Sequence, residues 1–210
     1  YGDHRDLHLS LRRQRQMCIR DSIKNLTNDN ASWRQYYSLE RGDDFSSKGM
    51  LYTYTGAAFY DNDDKFSKIT FSDIEDNNFL KTTNDSWISM IEHYFFTAWL
   101  PATGTNEPQT IYTRFSRDGG IKQYLIGSVG NYKVIAPNSS ETFNSRLFVG
   151  PKNQSEIKEL ASGLDLTVDY GVLTFLAAPL FWVLDNIFYF LGNWGWSIIA
   201  LTLLIKILFF

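Results

Sequence analysis

The chain has 210 residues, 44% of them hydrophobic and 16% aromatic, which is ample for a packed core and excludes a disordered chain. Net charge is -3 at pH 7 and no basic run continues past the first twenty residues, so a phosphate-tracking surface, and with it nucleic acid as a partner, is excluded. The single cysteine, Cys18, has no partner in the chain, and no Cys/His spacing fits zinc or haem, so no disulfide, metal or cofactor is expected.

The opening YGDHRDLHLSLRRQRQMCIRDS follows neither strand nor helix period. Its basic start is not followed by the apolar stretch of a secretory signal. LRRQRQMCIRDS looks like translated adapter read-through, so residues 1–22 are set aside as a non-native segment. The segment holds five basic and three acidic residues, and without it the balance moves from -3 to -5.

Residues 23–163 read as one β domain. From about Met50 to Gly150, runs rich in Tyr, Phe, Thr, Ile and Val alternate with polar turn clusters, and a sandwich is expected. MLYTYTGAAFY ends at Asp61-Asn62-Asp63-Asp64, KFSKITFSDI follows as a strand, and the long WISMIEHYFFTAWLP stops at Pro101. Ile111 to Phe115, Arg117-Asp118-Gly119-Gly120 and IKQYLIGSV form a hairpin, because glycine supplies the positive φ of a tight turn. Further strands are expected around Tyr132 to Ala136 and Thr142 to Val149. A short helix capped by Asn153 and ended by Gly163 closes the domain.

Residues 164–192 hold a linker and an amphipathic helix. Leu173, Leu176, Ala177, Leu180, Phe181, Leu184, Ile187, Phe188 and Leu191 recur on one helical face. Phe175, Trp182, Tyr189 and Phe190 stand on the other beside only Asp185 and Asn186, and rings with polar tips favour a membrane-water interface. A buried core helix is the competing reading on this stretch alone. Residues 193–210 then give WGWSIIALTLLIKILFF, apolar except for Ser197, Thr202 and Lys206, the beginning of a truncated transmembrane helix.

A lysine in a bilayer core costs on the order of 3 kcal/mol on insertion scales, so Lys206 needs a reason. It lies roughly 18 Å beyond Trp194 at 1.5 Å per residue, and snorkelling to the nearer headgroups is one reading. The other is that Thr202, one turn earlier, and Lys206 form a polar stripe facing protein or water, able to hold the hydrophilic part of a passing polypeptide. His93 beside Glu92 suggests acid-base work in a sugar-handling sandwich, against a structural role for a histidine with no partner motif. Four Asn-x-Ser/Thr sequons, including Asn25-Leu26-Thr27, carry no weight in a chain this rich in Asn and Ser.

WISMIEHYFFTAWLP, the LFVGPK turn, LDLTVDYG and GNWGWSIIALTLLIK resemble the end of the periplasmic domain, the interfacial helix and the second transmembrane helix of YidC-type membrane protein insertases. The resemblance covers residues 49–210 and is most specific from Leu164 to Lys206. It implies that the β domain is the C-terminal part of a larger periplasmic β-supersandwich of galactose-mutarotase-like shape, without catalytic activity. It implies a bacterial inner-membrane location with residues 23–192 on the periplasmic side, and nascent membrane proteins, membrane lipid and the Sec translocon as partners. The family's groove-lining positive charge, normally arginine, corresponds to Lys206, and its groove threonine to Thr202. Lysine keeps the charge but lacks the planar five-donor fork, so bidentate capture of a carboxylate is weaker. A tethered carbohydrate-binding module and a translocon-docking domain are the alternatives, the first predicting saccharide binding near His93, the second a silent Lys206→Ala.

Overall fold

Alternating β-rich runs and turn clusters build a two-sheet unit. The computed structural model describes residues 16–42, 54–101, 107–153, 157–168 and 174–209, which divide into two units, Tyr1–Val168 and Asp169–Phe210.

In the first unit, the larger antiparallel sheet has the order β1 (Gln16–Lys24), β12 (Ser140–Pro151), β8 (Phe95–Leu100), β7 (Trp87–Ile91), β4 (Gly56–Asp61), β5 (Lys65–Ile69). The smaller has the order β3 (Tyr36–Gly42), β10 (Ile121–Gly130), β9 (Pro108–Asp118), β6 (Leu80–Asn84), and β2 (Ala31–Trp33) pairs with β11 (Lys133–Ile135). Between the sheets lie Ala57, Phe59, Ile88 and Met90 from the larger and Ile111, Tyr124 and Ile126 from the smaller. The opposite face of the larger sheet buries Ala58, Trp87, Ile91, Phe96 and Phe148 against Ile157 and Leu164 of the segment after β12. Both faces of this sheet are therefore covered, and all five residues of β7 are buried.

The expected sandwich is thus the observed architecture, and the β9–β10 hairpin turns where expected. Gly119 and Gly120 both have positive φ, 55° and 89°, as a two-residue turn matching strand twist requires. Three expectations are corrected. KFSKITFSDI is not one strand: after β5 the chain enters α1 (Phe71–Asp76). Thr70 caps it, its hydroxyl accepting the Asp73 N–H at 3.2 Å while the Asp73 carboxylate accepts the Thr70 N–H at 2.9 Å. Thr70→Ala removes that reciprocal cap and is expected to lower the thermal midpoint by roughly 2–4 °C, read by circular dichroism. WISMIEHYFFTAWLP is likewise two strands, β7 and β8, turning at Glu92 to Tyr94 without glycine or proline to signal it, with the Glu92 N–H donating to the Phe95 carbonyl at 2.9 Å.

The third correction concerns residues 1–22. Gln16 to Ser22 belong to β1, which pairs with β12 from Gln16 opposite Phe148 to Lys24 opposite Ser140, so this part has a place in the sheet. No period is legible because β1 is an edge strand with little buried on either face. Backbone pairing along an edge accepts nearly any side chains, so the strand places the segment in the fold without bearing on its origin. Residues 1–15 lie outside the described residues, as do 154–156 of the expected closing helix. Gly163 has φ 71° and leads into a 3-10 turn, Leu164–Thr167.

The second unit is a helical hairpin of α2 (Thr174–Leu191) and α3 (Trp194–Phe209). Leu180, Leu184, Ile187 and Phe188 of α2 are half-buried and Trp182, Tyr189 and Phe190 exposed, as the amphipathic division has them, whereas Phe181 and Leu191, expected on the packed face, are exposed. Gly192 ends α2 with its N–H donating to the Phe188 carbonyl at 2.8 Å, and the Asn193 side chain caps α3 by accepting the Gly195 N–H at 2.9 Å. Phe188 stacks on Trp194 with ring centroids 4.1 Å apart, closing the corner.

Candidate functional site

The two residues singled out for function lie on α3. Its packed side carries Ser197, fully buried, with Ala200, Leu201 and Ile205 half-buried. These recur at helical spacing, so Thr202 and Lys206, four residues apart, occupy a different stripe, and both are exposed. The Thr202 hydroxyl donates to the Ile199 carbonyl at 2.7 Å and the Ser197 hydroxyl to the Asn193 carbonyl at 2.8 Å. Each satisfies its donor within the helix, which lets a hydroxyl sit among apolar side chains at low cost.

Around the stripe the surface is apolar. Trp196, Ile198, Leu203, Ile207 and Leu208 are exposed on α3, with Ile207 81% accessible, and Tyr189 and Phe190 are each 84% accessible on α2. An exposed apolar surface this dense marks contact with protein or lipid. At 16 residues α3 is about 24 Å long, and among the described residues no helix is long and apolar enough to cross a membrane.

His93 does not sit in an acid-base arrangement. It stands in the β7–β8 turn with its ring edge-on to Tyr94 at 4.1 Å, while Glu92 is paired with Arg41 at 3.0 Å. No cluster of three metal-ligating side chains is found among the described residues. The Asn25 sequon has a structural place: Asn25 is buried, and its amide donates to the Asp29 carbonyl at 2.8 Å and the Ile135 carbonyl at 2.9 Å.

One arrangement is not legible in the sequence. Asp61, read there only as a turn residue, is fully buried on β4 and ion-paired with Lys81 of β6, so a charge pair joins the two sheets. Burial alone would raise the Asp61 carboxyl. Hydrogen bonding to Lys81 and to the backbone of Asp64 and Asp63 outweighs it and holds the group below its ordinary value.

These features define a class, an antiparallel β-sandwich domain whose chain continues into an apolar helical hairpin. Residues 9–183 match the YidC periplasmic domain family, and the chain belongs to that family. The membrane protein insertase YidC of Alkalilimnicola ehrlichii is 39% identical over 91% of this chain and 34% of its own length. That of Thioalkalivibrio sulfidiphilus is 42% identical over 87% of this chain and 33% of its own length. That of Methylobacillus flagellatus is 44% identical over 83% of this chain and 31% of its own length. The chain therefore spans about a third of the length of the relatives it matches.

Proposed function

We propose that this chain is the periplasmic domain and following helices of a bacterial inner-membrane insertase, which helps newly made proteins enter and fold in the bilayer. The observation that carries the reading is the 39–44% identity, over most of this chain, to proteins named membrane protein insertase. Residues 23–192 lie on the periplasmic side, with α2 in the interface plane and its exposed Trp182, Tyr189 and Phe190 at headgroup depth. In this reading α3 enters the membrane.

In this reading Thr202 and Lys206 line a hydrophilic intramembrane groove. A positive charge held away from lipid attracts acidic and polar groups of a passing segment, and so lowers the cost of taking them below the headgroups. No bond is made or broken. Nascent membrane proteins and membrane lipid are the partners, together with the Sec translocon.

The test is complementation of an insertase-depleted cell by the complete gene. With expression matched, Lys206→Ala is expected to abolish growth and Lys206→Arg to support it. Growth of the Ala variant equal to that of the parent would make Lys206 a snorkelling anchor and leave the β domain as the functional part.

A further inference from the structure

We draw no further inference here: the strongest candidate, the exposed apolar face of the larger sheet around Phe95 of β8 and Val149 of β12, beside the outer strand β3 of the smaller sheet, carries nothing because nothing in the structure shows what covers it.

Discussion

Replacing Lys81 by Met is expected to destabilise the β unit by about 3–5 kcal/mol, because it strands a buried carboxylate. The Asp61 side chain is wholly buried. Its Oδ1 accepts the backbone N–H groups of Asp63 at 3.0 Å and Asp64 at 2.6 Å, stitching the β4–β5 turn, while Oδ2 faces the Lys81 ammonium, which also meets the Asp64 carboxylate at 2.6 Å. Met keeps the aliphatic stem over the Phe59 ring, where the Lys81 ammonium now lies 5.7 Å from the centroid, so the loss is electrostatic rather than a cavity. Asp61→Asn keeps an acceptor for the turn amides and leaves no buried anion, and should cost less. Equilibrium urea unfolding in micelles measures both, and equal midpoints for Lys81→Met and the parent would rule out the clamp.

The pH dependence of this clamp follows from its two directions. Asp61 titrates below its ordinary 3.8, so its stabilisation is present above that value and is lost as pH falls through the lower, folded one. Lys81 is raised above its ordinary 10.5, chiefly by hydrogen bonding to Asp61 and then Asp64, so its share is present below 10.5 and is lost as pH climbs through the raised value. The gap between parent and Lys81→Met should therefore be flat through neutrality and shrink in acid. A gap that grew below pH 3.8 would contradict the assignment.

Such a pair is invisible to sequence reading because Asp61 and Lys81 have nothing in common but opposite charge, and only the face-to-face packing of two sheets brings β4 opposite β6. Features set by neighbouring residues were legible: the Gly119-Gly120 hairpin, and the division of α2 into packed Leu184, Ile187 and Phe188 and exposed Trp182 and Tyr189. Signals carried by absence were not. The turn at Glu92 to Tyr94 has no glycine or proline, and β7, covered on both faces, shows no alternation, so two strands read as one. β1, β2, β3 and β6 were missed because short or edge strands bury too little to impose a period of two. For the candidate site, helical spacing alone placed Thr202 and Lys206 on one exposed stripe.

Gly163→Val is the other substitution expected to be severe, for two reasons that can be separated. The residue has φ 71° and ψ 4°, a left-handed conformation that costs an L side chain roughly 1–2 kcal/mol, and more for a β-branched one. A Cβ there would also fall well inside contact distance of the Tyr60 ring. That ring has little room to yield, since it stacks nearly parallel on Trp87, with centroids 5.9 Å apart and an interplanar angle of 9°. Trp87 is itself fastened by its indole N–H to the Ser162 carbonyl at 3.0 Å, and Leu164 on the other side of the glycine is completely buried. The glycine is thus the point where the segment closing the larger sheet passes over an aromatic pair with no space for a side chain. Gly163→Ala should lower stability by about 2–4 kcal/mol and Gly163→Val by more. Gly163→Asn, which tolerates the left-handed region, should recover only the backbone share. Truncating the obstructing ring resolves the two causes: if the clash dominates, Tyr60→Ala costs less in the Gly163→Ala background than in the parent, whereas a purely conformational penalty leaves the two changes additive. A Gly163→Ala chain that unfolds at the parent's urea midpoint would show that neither the φ nor the ring constrains this position.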